Sequence, residues 1–143
     1  MIGLIISGHG NFASGLHTSL NLIAGEPSNV EYIDFEEIDT IETLKEKYYL
    51  ALKNLSHCES ILALSDLAGG SPFKTLVEIK TEIKKPMEVI GGTNLPMALE
   101  ISMGKDFIED LYSLTESAIE VGKNGVVKFE FIAHEDIECE DGI

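Results

Sequence analysis

The strongest constraint on this chain is the way short apolar runs alternate with stretches of helical period. Ile2 to Ile6 is an apolar run that reads as a first strand, bounded by Ser7-Gly8-His9-Gly10. Phe12, Leu16, Leu20 and Ile23 then share one helical face, and Gly25 with Pro27 stops that helix. Val30 to Phe35 alternates apolar and polar residues as a second strand does. Asp39 is the expected cap of a long amphipathic helix, with Glu42 in capping-box position and Ile41, Leu44, Tyr48 and Leu52 toward the core. Ser60 to Ser65 is almost wholly apolar, the pattern of a strand buried on both faces. Pro72 follows as the first residue of a helix with an apolar stripe of Phe73, Leu76, Val77 and Ile83. Pro86 ends it and Met87 to Ile90 is a fourth strand. Helix-forming sequence resumes through Met103 and from Asp106 to Val121, closed by Gly122 and Gly125. Val126 to Ile132 alternates strictly, with Val127, Phe129 and Phe131 on one face, and reads as an edge or antiparallel strand.

A β-α-β-α-β-α-β-α order predicts an α/β fold: an open, doubly wound, mostly parallel sheet with helices on both faces. Ligands bind such sheets beyond the carboxyl ends of the strands, where the strand order reverses. In the flavodoxin-like order 2-1-3-4 the reversal lies between the first and third strands. The loops there are Gly8-His9-Gly10 and Asp66 to Ser71, the most glycine-rich and polar strand-to-helix turns in the first half of the chain. Placement alone therefore selects a site.

Composition narrows the partners. The 143 residues suit one domain, taken as residues 1–132, with an acidic tail at 133–143 expected to be disordered. Against 25 acids stand ten basic residues, all lysine, for a net charge of −15. Such a chain is a poor ligand for nucleic acid or an anionic membrane, where binding rests on neutralising phosphates. The tail holds five of the acids and none of the lysines, so the folded body is acidic in its own right. No apolar run approaches the roughly 20 residues of a membrane-spanning helix. The N-terminal run lacks a basic flank and a small-residue cleavage site, so a cytoplasmic protein is expected. Cys58 and Cys139 lack metal-ligand spacing and are expected to be free thiols. No His/Cys/Asp/Glu cluster has the spacing of a metal site, and no cofactor is implied. His17 is expected at the surface of the first helix, and His57 and His134 in a loop and near the tail. Tyr48-Tyr49 should straddle core and solvent. Met87, Met97 and Met103 read as core or interface filler.

The chemistry of the two loops follows from their residue types. Glycines around His9 let backbone approach a ligand, and a helix start offers amide N–H groups to an anion. Gly69, Gly70 and Ser71 repeat that arrangement after the third strand. Two helix N-termini converging on one spot make a phosphate cradle that requires no arginine. A neutral imidazole beside it can attack a phosphoryl group, while Asp66 holds the far ring N–H. A lone Gly-His-Gly turn can equally cap a helix.

Ser7-Gly8-His9-Gly10 with Ala13 and Gly15-Leu16 resembles the phosphorylation-site segment of the mannose-family enzyme IIA proteins of the bacterial sugar phosphotransferase system. Asp66-Leu67-Ala68-Gly69-Gly70-Ser71-Pro72 is similar to that family's second signature. Gly92-Thr93-Asn94-Leu95-Pro96-Met97 is similar to its third, in which a small apolar residue is more usual where Thr93 stands. The resemblance implies that His9 accepts a phosphoryl group from the phosphocarrier HPr and passes it to a separate IIB protein. IIB in turn serves sugar uptake through the membrane components IIC and IID. It assigns the orienting carboxylate to Asp66 and a phosphate contact to Ser71, beside the backbone contacts that the loops themselves offer at Gly10, Gly69 and Gly70. It also implies a homodimer whose final strand crosses to the neighbouring subunit. A related branch feeds dihydroxyacetone phosphorylation, and a non-catalytic regulatory module of the same fold is a further alternative. A tetrapyrrole metal chelatase can also begin with a strand and Gly-His-Gly. It would call for a second metal-handling histidine and basic groups for substrate carboxylates, whereas this chain has no arginine and no well-placed second histidine.

Overall fold

The computed structural model describes residues 1–131. Four strands, β1 (Ile2–His9), β2 (Val30–Phe35), β3 (Ser60–Ser65) and β4 (Met87–Ile90), form one parallel sheet in the order β2-β1-β3-β4. The order expected from the sequence is thus the observed one. Five helices connect and cover it: α1 (Phe12–Ala24), α2 (Ile41–Asn54), α3 (Ser71–Glu82), α4 (Leu95–Gly104) and α5 (Leu111–Asn124). A 3₁₀ turn at Lys105–Phe107 separates the last two.

The period of two in the central strands divides the core between the faces. Ile2, Leu4 and Ile6 of β1 and Leu62 and Leu64 of β3 pack toward α1, α4 and α5. Ile5, Ile61 and Ala63 point the other way, onto Leu44, Tyr48 and Ala51 of α2 and Leu76 and Ile79 of α3. Burial on both faces explains why β1 and β3 are nearly continuous apolar runs. Two buried serines interrupt them at paired positions, Ser7 opposite Ser65. Ser7 Oγ donates to Ile33 O of β2 at 2.8 Å, and Ser65 Oγ to Ile90 O of β4 at 3.1 Å. Each strand is thereby tied to its outer neighbour just below the reversal point.

Several local expectations are corrected. The α2 cap is Thr40, in a reciprocal box with Thr43, one residue beyond Asp39 and Glu42. Asp39 instead accepts from Thr43 Oγ1 at 2.9 Å and from Lys47 Nζ at 2.6 Å. The buried stripe of α3 is Pro72, Thr75, Leu76 and Ile79, and Val77 is exposed. Gly122 lies inside α5, where an added Cβ would fall 2.5 Å from Met97 Cε, and Gly125 is the cap. Residues 126–131 form no strand in this chain's sheet: Val126, Val127, Phe129 and Phe131 are exposed. An extended segment acquires ladder bonds only beside another strand, and among the described residues none lies beside it. Ile132, the acidic tail, His134 and Cys139 lie outside the described residues.

Lys105 has a fully buried side chain whose Nζ donates to Asp106 Oδ1 at 3.1 Å. Nothing in the hydrophobic pattern marks it.

Candidate active site

His9 is the last residue of β1 and still pairs with Phe35 of β2, which fixes its backbone before the chain turns into α1. Asp66 follows the last residue of β3, and its N–H donates to Ser7 O at 3.2 Å. The two loops at the reversal point therefore meet through adjacent central strands. Asp66 Oδ2 accepts both the His9 backbone N–H at 2.9 Å and His9 Nδ1 at 2.8 Å, while Oδ1 accepts the Leu67 N–H at 2.8 Å. Three hydrogen bonds leave this carboxylate one orientation.

Asp66 has a side chain only 15 % exposed. Burial on its own would raise its pKa. The His9 amide, the His9 ring and the Leu67 amide outweigh that and hold it below the usual carboxylate value. An ionised carboxylate can only accept, so Nδ1 carries the proton of the neutral ring and Nε2 carries the lone pair. The imidazole is 46 % exposed, and its other face stands edge-on to Phe35 at a centroid distance of 6.0 Å.

Two glycines make this approach possible. A Cβ on Gly8 would fall 2.8 Å from Asp66 Cγ and 2.5 Å from Phe12 Cδ1. A Cβ on Gly70 would fall 2.8 Å from His9 Cε1 and 3.5 Å from Nε2. Gly70 is also the N-cap of α3, so the start of that helix adjoins the lone-pair side of the ring. With a glycine cap and Pro72 in the first turn, no side chain competes for that turn's orphan donors. Among the described residues, no hydrogen bond occupies the N–H of Gly69 or Ser71. Two expected donors are different. The Gly10 N–H donates to Phe35 O at 2.8 Å and that of Gly70 to Leu67 O at 3.1 Å. These glycines provide space and turn geometry, and the unengaged donors are those of Gly69 and Ser71.

Other singled-out residues lie elsewhere. His17 Nε2 lies 2.8 Å from both Glu26 oxygens, with its ring stacked on Tyr32, and His57 Nε2 meets Asn29 Oδ1 at 2.6 Å. Cys58 is a buried free thiol. Among the described residues no group of three His, Cys, Asp or Glu could hold a metal ion, and no helix is long and apolar enough to cross a membrane. Beside the His9 turn, Gly10, Asn11, Glu36, Glu37 and Ile38 line an open depression of about 340 Å³. Ser7, which the first motif includes without giving it a role, and Tyr48, expected only as a core-facing residue, lie directly behind the site.

Fold and site together define a flavodoxin-like α/β domain with a carboxylate-oriented histidine at its switch point. Residues 3–118 match the family model described as the fructose IIA component of the phosphotransferase system. The chain belongs to that family of sugar phosphotransferase IIA components. It is 35% identical over 127 residues to the fructose-specific EIIA component of Bacillus subtilis, covering 85% of this chain and 86% of that protein. It is 38% identical over 125 residues to the mannose-specific EIIAB component of Escherichia coli K12. That match covers 87% of this chain but 38% of the relative's length. Among solved structures, an EIIA component from Streptococcus agalactiae superposes with a TM-score of 0.81 at 30% identity, covering 90% of this chain and 97% of that one.

Proposed function

We propose that His9 is a transient phosphoryl carrier, accepting the group from phosphorylated HPr and delivering it to a IIB protein or domain. The reading rests on one observation above all: Asp66 Oδ2 holds His9 Nδ1 at 2.8 Å and leaves Nε2 as the nucleophile. In the forward step the Nε2 lone pair attacks phosphorus and a P–N bond forms. The donor's P–N bond breaks, and its electron pair returns to the donor ring. The Nδ1 proton stays in place, and Asp66 stabilises the positive charge that develops on the ring. Transfer to the acceptor is the same displacement in reverse. Unengaged amides of Gly69 and Ser71 at the α3 N-terminus, with the Ser71 hydroxyl, offer the phosphoryl oxygens donors without arginine. The acidic body steers a basic carrier toward the exposed ring.

The same reading extends to assembly. Exposed Val127, Phe129 and Phe131 on an alternating segment with no partner strand among the described residues support exchange of that segment between two copies. Light scattering then finds a dimer for the full chain and a monomer for a chain ending at Gly125. A full-length monomer refutes the exchange.

The functional test is direct. Incubation with enzyme I, HPr and labelled phosphoenolpyruvate yields acid-labile, base-stable label on the wild type and none on His9→Ala. An unlabelled wild type sinks the carrier reading, and a labelled His9→Ala sinks the site assignment.

A further inference from the structure

Behind the His9 centre lies a buried polar tie. Tyr48, on the inner face of α2, is fully buried, yet its phenol reaches two other elements. Tyr48 Oη lies 2.7 Å from Ser7 Oγ and 3.4 Å from Pro72 O. Ser7 Oγ donates its own proton to Ile33 O, so the single phenol proton is directed at Ser7 and shared with the Pro72 carbonyl, whose 3.4 Å contact is the long arm of a three-centre bond. Ser7 stands two residues before His9 on the same strand, and Pro72 directly follows Ser71. One phenol therefore bridges the strand that carries the nucleophile and the helix turn that carries the unengaged amides.

We infer that Tyr48 is a positioning residue for the His9 centre: through Ser7 and the Pro72 carbonyl it sets the distance between the His9 ring and the α3 N-terminus. Its importance follows from the contacts around it. The ring stands so near Gly70 that an added Cβ there would fall 2.8 Å from it. The Asp66 carboxylate fixes the ring to β3, but nothing in that bond set reaches α3 beyond Leu67. Sideways drift of the helix start would therefore leave the Asp66 bond intact and misplace the oxygen-binding amides. The phenol opposes that drift, and its surroundings keep it neutral: burial first, and the Asp66 charge in addition, push its pKa up. This inference rests on the carrier reading for its kinetic consequence, though not for its geometric one.

Tyr48→Phe removes the tie and strands no donor, since Ser7 keeps its bond to Ile33. Ser7→Ala cuts the same tie from the strand side, and Ile79→Val, two turns further along α3 in the same core, is the packing control. Displacement of reacting groups by an ångström costs about 10²-fold, so a shift of a few tenths is expected to slow transfer about tenfold. Transfer from HPr should fall to that extent in Tyr48→Phe and Ser7→Ala, with no more than a further twofold loss in the double variant. Ile79→Val should retain the wild-type rate at a comparable melting temperature. NMR of the unphosphorylated proteins should show the Gly69 and Ser71 amides and the His9 ring nitrogens shifted in both tie variants and unmoved in Ile79→Val. Wild-type transfer with unshifted His9 nitrogens in the tie variants overturns the inference. If the wild type takes no phosphate, the carrier reading fails, and the NMR comparison still decides the positioning role.

Discussion

Gly70→Ala is the most sensitive single perturbation of the proposed site. The added Cβ falls 2.8 Å from His9 Cε1, whereas ordinary van der Waals contact begins at 3.4 Å. Ring and helix start must separate by about 0.6 Å, and the ring is not free to turn aside because Asp66 holds it at 2.8 Å and Phe35 stands against it. Stretching the Nδ1 bond by that amount takes it to about 3.4 Å, beyond good hydrogen-bond geometry. A charge-assisted hydrogen bond of this kind is worth about 1.5–3 kcal/mol, so transfer should slow by about 10- to 100-fold. Folding stability should fall by no more than that same bond, about 1.5–3 kcal/mol. Gly70 has φ −73° and ψ 170°, a conformation open to alanine, and the helix loses no side-chain cap. The assay is rapid-quench labelling of His9 by phosphorylated HPr, with thermal unfolding run in parallel. A variant that transfers at the wild-type rate, or that loses far more stability than one such hydrogen bond is worth, refutes the geometric reasoning.

Asp66→Asn keeps a hydrogen-bonding group but removes the charge and the fixed tautomer, so transfer should drop about 100-fold with the fold intact. An equal loss of melting temperature would make Asp66 structural instead. The folded pKa of Asp66 is depressed, so its contribution to stability is full above its unfolded value of about 3.9 and is lost as pH falls through the lowered folded value. Acid unfolding curves of wild type and Asp66→Asn should therefore diverge above that window and converge below it. Thr93 Oγ1 is buried without a hydrogen-bond partner, so Thr93→Val should stabilise by about 1 kcal/mol in urea unfolding; destabilisation would show that the hydroxyl is satisfied in solution. Glu36 and Glu37 flank the depression beside His9, so Glu36→Lys with Glu37→Lys should slow association with HPr at low salt and converge on wild type at about 1 M salt. An unchanged rate at low salt would remove these acids from the encounter.

What the sequence disclosed and what it hid divide along physical lines. β1 and β3 were legible because burial on both faces writes an unbroken apolar run, and their order located the loops at His9 and Asp66. The α3 stripe was misread because Phe73 and Val77 share a helical face as convincingly as Leu76 and Ile79 do, and only the sheet decides which face is buried. Polar Thr75 sits on the buried side and carried no signal. The commitment of the Gly10 amide could not be read either, because it depends on β1 pairing with β2 through His9 and Phe35. Tyr48 was legible as a core-facing position, but the partners of its phenol come from β1 and α3, which meet only in three dimensions. The alternation from Val126 is present in the sequence, yet a strand exists only with a partner.

In the proposed carrier, Asp66 fixes the proton on Nδ1 and Nε2 carries the phosphate. Nitrogen-15 NMR of the phosphorylated, ¹⁵N-histidine-labelled protein tests it most directly. One phosphorylated ring is expected, that of His9, with phosphorus coupled to Nε2 and a proton retained on Nδ1. Coupling to Nδ1, or a phosphorylated residue other than His9, would contradict it.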